Sequence, residues 1–223
     1  MDHTDSAAAA HPRPSSPTSP VSAEQDAESA LLSAPRSPTN DPVLSVSGHE
    51  EATIANLLHG VCTRVAVVVD ISNISHRVIE KPWTYMENGA VEEAAAPSVP
   101  VGGRMLCCFR KRCYSFYGCF GILSYRIAGS SKRLHLVFSN PFFVHSIQLS
   151  MKIEEYGVDK EWLAGTLHVM YKSASEGRRS QFCKIFAGYN EAIVVDHDLR
   201  LQVTASIENK CRCVIRVALS SLP

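Results

Sequence analysis

The 223-residue chain has no run approaching the roughly 18 to 20 apolar residues that a membrane-spanning helix requires. Its first residues, MDHTDSAAAAHPRPSSP, lack the basic start and apolar run of a secretory signal, so a soluble cytoplasmic chain, or one released by a non-classical route, is expected. The short motifs that most often mark chemistry are missing as well. There is no GxSxG elbow, no phosphate loop ending in GK[ST], no HExxH, and no GxGxxG after a strand, which argues against an enzyme and against a bound cofactor. Eight cysteines include no pair of CxxC motifs with finger-like spacing, so no metal site is expected. Net charge is zero, with 22 basic and 22 acidic side chains, and nothing in that balance calls for a nucleic-acid partner.

What is present is unevenly spread. Residues 1 to 50 hold seven of the twelve prolines, with two basic and seven acidic residues, a net of −5; the remainder is +5. A Pro-, Ser- and Ala-rich segment cannot bury enough surface to offset its chain entropy, so residues 1 to 42 read as a disordered tail and 43 to 223 as one domain.

Within the domain, Ile54, Leu57, Leu58 and Val61 recur at i, i+3, i+4 and i+7, which predicts an amphipathic helix over 47 to 62. Ser47 is its N-cap with Glu50 at the capping-box position, and Gly60 its stop. A second helix is predicted over 159 to 172, where Trp162, Leu163, Leu167 and Met170 share a face. Between and after the helices lie β-rich runs: TRVAVVVDISN ending in an Asp70/Asn73 turn, HRVIEKPWTYMENG, GRMLCCFRK, GCFGILSYRI, RLHLVFS, SIQLSMKI, NEAIVVD, LRLQVTASI and CRCVIRVAL. In the last, Cys211, Cys213, Ile215, Val217 and Leu219 fall on one face as core. The fold class is mainly β: a β-sandwich flanked by two α-helices.

Two clusters could carry chemistry. Asp196-His197-Asp198 lies between strands and reads as a turn. Arg110, Lys111 and Arg112 beside Tyr114, Phe116 and Tyr117 read as a solvated hairpin tip, with an anion-binding patch as the alternative. A third feature is SNPFF, residues 139 to 143. Pro141 cannot donate to a ladder, so it ends a strand and leaves Phe142 and Phe143 at its mouth, either as a core plug or as a surface for something apolar.

In order, the amphipathic segment, the strand to Asn73, Trp83 to Gly89, Pro97-Ser98-Val99-Pro100, GCFGILSYRI and above all LVFSNPF resemble the actinoporins and their vertebrate actinoporin-like relatives, over about Val43 to Leu219. The resemblance implies an actinoporin-like β-sandwich that binds the phosphocholine headgroup of membrane lipid, chiefly sphingomyelin. It implies that the N-terminal helix then inserts and that a homo-oligomer lines a cation-permeable pore. Ser139 and Pro141 fall on the family's lipid-binding site, Tyr171 near one of its helix tyrosines, Cys107 at a second pocket serine, and Phe120 within the same set. Phe142 and Phe143 open the membrane-facing loop, and Ile54, Leu57, Leu58 and Val61 form the apolar face of the pore helix. The chain departs from the pattern where the family has a Trp/Tyr run after that loop's start, since here the sequence reads FVHSIQLSM, and it lacks the family's RGD triplet. The tail would have to cross the bilayer or be cleaved. A non-lytic module of the same fold, binding a lipid headgroup or a glycan as the similar fungal fruit-body lectins do, is the alternative.

Overall fold

The computed structural model describes residues 48–143, 147–155, 160–173, 179–180, 182–186 and 191–223. The tail, Ser47, the side chain of Glu50, residues 144–146 and Asp159 lie outside the described residues. The domain begins with α1 (Gly48–Gly60), followed by β1 (Ala66–Ile74), β2 (Ile79–Asn88), β3 (Ala90–Glu93), β4 (Ser98–Val99), β5 (Arg104–Arg110), β6 (Cys119–Ile127), β7 (Lys132–Asn140) and β8 (Gln148–Glu155). Then come α2 (Lys160–Lys172), β9 (Arg179–Ser180), β10 (Phe182–Phe186), β11 (Ala192–Asp196), β12 (Leu201–Ile207) and β13 (Arg212–Ser221).

The strands form two sheets: seven strands in the order β3-β5-β1-β13-β12-β11-β9, and six in the order β10-β8-β7-β6-β2-β4. Period-2 alternation explains why they face each other. Val67, Val69 and Ile71 from one sheet meet Leu134, Leu136 and Phe138 from the other in the main core, with Phe109 and Phe138 ring centroids 4.7 Å apart. A helix then covers each outer face. Ile54 and Val61 of α1, with Leu58, pack on Ala66, Val68, Cys108 and Val214 of the seven-stranded sheet. Leu163, Leu167 and Met170 of α2 pack on Ile122 and Val137 of the six-stranded sheet. The expected mainly β fold, a β-sandwich with two flanking helices, is the architecture of this chain.

Two local expectations need correction, and one strand was missed. Asp70 does not end a strand: β1 runs on to Ile74, and Asp70 accepts two hydrogen bonds from the Arg104 guanidinium across the pair with β5, both 2.7 Å. Asn73, fully buried, makes the turn by donating from Nδ2 to the carbonyls of Arg77 at 2.8 Å and Val99 at 3.0 Å. Cys211 is not a core residue; it precedes β13 and is half-buried, whereas Cys213, Ile215, Val217 and Leu219 do point inward. Strand β10 went unread, because FCKIF is short and interrupted by a lysine. Pro82 is accommodated within β2 by a register shift between Glu80 and Trp83, where Lys81 takes a φ of 51°.

One end of the sandwich gathers the start of β1, the end of β5, the start of β6, the end of β7 and the start of β13. Buried Asn140 ties it together by donating to the carbonyls of Ala66 at 3.1 Å and Cys211 at 2.8 Å. The Lys111 backbone N–H donates to Val65 at 3.0 Å at the same end. Arg212 donates there to the carbonyls of Leu58, Val61 and Thr63, 2.8 to 3.1 Å away, at the C-terminal end of α1.

Candidate functional site

The loop between β5 and β6, residues 111–118, meets the segment after β7 at this end. Gly118 permits the meeting: an added Cβ would lie 1.9 Å from the carbonyl oxygen of Asn140 and 2.7 Å from Cα of Pro141. Backbone passes backbone where no side chain fits. The two loops therefore present one surface. The Phe116 and Phe143 rings stack with centroids 6.4 Å apart and planes 19° apart, yet they are 76% and 67% exposed. Tyr117 is 67% exposed and Tyr114 is fully exposed, the latter held at a φ of 59° that is uncommon for a bulky residue.

Pro141 gives the two phenylalanines opposite roles. Phe142 is half-buried and packs on the main core, with Lys111 Nζ 4.8 Å from its ring centroid, while Phe143 turns out beside Phe116. The surroundings are basic. Arg110 is paired with Glu92, but Lys111 and Arg112 have no carboxylate partner among the described residues, and Arg112 instead donates to the Gly89 carbonyl at 2.9 Å. Exposed rings beside unpaired cations make a surface suited to a boundary between an apolar and an anionic phase.

A second patch lies on the outer face of the six-stranded sheet, just inside the same end. Register places Phe120, Ser139, Gln148 and Phe186 in one row across β6, β7, β8 and β10. From α2, Tyr171 lays its ring 4.7 Å from that of Phe120. So Phe120 faces Ser139 in the β6–β7 register and meets Tyr171 of α2, with Pro141 two residues beyond Ser139. Cys107 does not join them and is corrected to a core residue. It sits in the other sheet, fully buried between the layers, and burial pushes its thiol well above the ordinary range.

The apolar face of α1 is placed as its periodicity predicts: Ile54 and Val61 are buried and Leu57 and Leu58 half-buried, with Glu51, Asn56 and His59 exposed. Asp196 closes β11 and His197-Asp198 open the turn that follows, in which Asp196 accepts from the Leu199 N–H and Lys132 bridges Asp196 and Asp198 at 2.7 and 2.9 Å. Among the described residues no cluster of metal-ligating side chains occurs. Sequence reasoning treated Tyr114, Phe116 and Tyr117 as a hairpin tip unconnected with Phe143, and it passed over Lys184 and Phe186. The available signal for the tip was the density of basic and aromatic residues in RKRCYSFYG.

No protein-family model matches the chain, and no curated protein matches it in sequence. Among solved structures it is similar to the lipid-binding protein Nakanori, with a TM-score of 0.60 and 15% identity over 76% of this chain and 78% of that one. At that identity the likeness is one of fold. It is more distantly similar to the RahU protein, TM-score 0.40 and 7% identity over 72% of this chain and 97% of that one. A third, IP-1A from Alcaligenes faecalis, has a TM-score of 0.37 and 10% identity over 71% of this chain and 91% of that one. The last two likenesses are too slight to bear on function.

Proposed function

We propose that this protein binds the surface of a lipid membrane through the tip formed by Tyr114, Phe116, Tyr117 and Phe143. The observation that carries the proposal is the stacked, exposed Phe116–Phe143 pair contributed by two separate loops beside Lys111 and Arg112. Aromatic rings gain by leaving water at the headgroup level, and lysine and arginine there meet phosphates. The tip takes the place of the Trp/Tyr run that the segment after Pro141 lacks. That a protein of similar fold, Nakanori, is described as lipid-binding agrees with this reading.

Pore formation is a finer proposal that rests on α1. Its apolar side is docked on only a small satellite cluster, and its C-terminal end is held by Arg212 at the same end of the sandwich as the tip. Length sets a condition. Thirteen residues make about 20 Å of helix, short of the ~30 Å hydrocarbon layer, so insertion would require helix extended from the residues before Gly48. None of the helices among the described residues is long and apolar enough to cross a membrane as it stands. Surface binding therefore ranks ahead of oligomeric, cation-permeable pores, and sphingomyelin recognition through Ser139, Phe120 and Tyr171 is a choice of headgroup to be decided by vesicle composition.

Co-sedimentation and dye release on one vesicle set test both levels. The proposal expects the full chain to co-sediment and Phe116→Ser/Phe143→Ser to stay in the supernatant. Release that is abolished by Leu57→Asp while binding persists would support the pore. Binding without release by the wild type would leave a non-lytic module, and binding to glycans but to no vesicle would replace the proposal with the lectin-like alternative.

A further inference from the structure

The patch on the six-stranded sheet already contains a cation. Lys184 stands opposite Ser150 in the β8–β10 pair, and its ammonium donates to the Tyr171 carbonyl at 2.5 Å, with the Ser173 carbonyl 3.4 Å away. Those oxygens belong to the last turn of α2 and the residue after it, where helix carbonyls are left without partners and carry partial negative charge. The same nitrogen lies 5.3 Å from the Tyr171 ring centroid and 5.6 Å from that of Phe186. It thus sits on the ring faces that a ligand ammonium would need.

The rest of the row points the same way. Lys184 is half-buried and has no carboxylate partner among the described residues, and its burial lowers its pKa. Of its three N–H donors, the two carbonyls occupy two, and the third has no partner among the described residues. Nearby, Oε1 of Gln148 is buried without a hydrogen-bond partner among the described residues, in the row between Ser139 and Phe186. A cation with a spare donor, an unused acceptor, a serine hydroxyl and flanking rings therefore occupy one patch.

We infer that Lys184 makes this patch a site for an anionic, phosphate-bearing headgroup with a hydroxyl donor, and that it excludes the quaternary ammonium of phosphocholine. The inference rests on the lipid-binding proposal and names its headgroup class. A phosphate oxygen accepts the third ammonium proton in a charge-assisted bond, and a ligand hydroxyl donates to Gln148. Choline brings no donor, and against Lys184 it meets like charge in a half-buried setting, where repulsion outweighs the attraction of one ring face.

The test measures binding of the full chain to vesicles of phosphatidylcholine alone, with sphingomyelin, and with phosphatidylglycerol. It also follows soluble glycerol phosphate and soluble phosphocholine by NMR shifts of the β10 and α2 amides. The expected result is about tenfold or greater preference for phosphatidylglycerol, shifts with glycerol phosphate alone, and loss of both in Lys184→Met but not in Lys184→Arg. Lys111→Gln/Arg112→Gln should weaken binding to all anionic vesicles and leave the glycerol phosphate shifts intact. Wild-type preference for sphingomyelin, or a preference undiminished in Lys184→Met, would overturn the assignment while leaving lipid binding in place. Glycerol phosphate shifts without any vesicle binding would overturn the lipid reading and keep the patch as a phosphate site; neither signal would overturn both.

Discussion

The space for a Cβ on Gly118 is taken by the carbonyl oxygen of Asn140, 1.9 Å away. That approach joins two loops that are 22 residues apart in sequence at this point, and it is what turns scattered aromatics into one tip. Gly118→Ala must push the loop off Asn140 and Pro141, because backbone rather than a flexible side chain blocks the methyl. The expected cost is about 1–3 kcal/mol in unfolding free energy, measurable by denaturant melts. The separated Phe116 and Phe143 should also bind vesicles less well than an equally destabilised core variant such as Val69→Ala.

Arg212 holds the C-terminal end of α1. Its guanidinium donates to three carbonyls, those of Leu58, Val61 and Thr63, for which no other backbone donor occurs among the described residues outside the helix. Arg212→Met should loosen α1 locally by roughly 2–4 kcal/mol, read as faster amide exchange over residues 52–60 while β1 and β13 keep their protection. If pores form by release of α1, the same variant should release dye faster.

His135 makes folding sensitive to acid. It is fully buried in β7 beneath Trp162, ring centroids 5.2 Å apart, and neither ring nitrogen has a hydrogen-bond partner among the described residues. Burial, with Arg133 and Lys152 adding repulsion, pulls its pKa from 6.5 down to about 3. The folded state therefore binds fewer protons than the unfolded state between those values, so stability is full above pH 6.5 and declines as pH falls toward 3. The slope from this one group is about 1.4 kcal/mol per pH unit. Denaturant melts between pH 7 and 5 should show it in the wild type, and His135→Leu should show a flatter profile.

Much of this was readable beforehand, for physical reasons that differ by element. Both helices declared themselves through 3.6-residue spacing, and Ile54, Val61, Leu163 and Leu167 are buried where that spacing puts them. In β7 strand alternation puts Phe138 on the inner face with Leu134 and Leu136, and Ser139 on the outer one. In GRMLCCFR the same alternation puts Met105, Cys107 and Phe109 on the inner face and Cys108 on the outer one, which already separates Cys107 from any site on the other sheet. The tip was not readable, because RKRCYSFYG has no period and its partner Phe143 lies far along the chain; only the close passage at Gly118 brings them together. Lys184 was hidden for a similar reason, since its role depends on the end of α2 reaching over an edge strand.

The central claim is that the tip enters the membrane interface, and a single tryptophan tests it most directly. The native tryptophans, Trp83 and Trp162, are half-buried on the outer face of the six-stranded sheet, so they supply a constant background. Phe116→Trp places a reporter in the tip. Emission is then recorded with vesicles carrying brominated acyl chains, wild type beside variant. A blue shift and bromine quenching specific to Phe116→Trp are the predicted result; emission unchanged by vesicles to which the protein demonstrably binds would contradict the account.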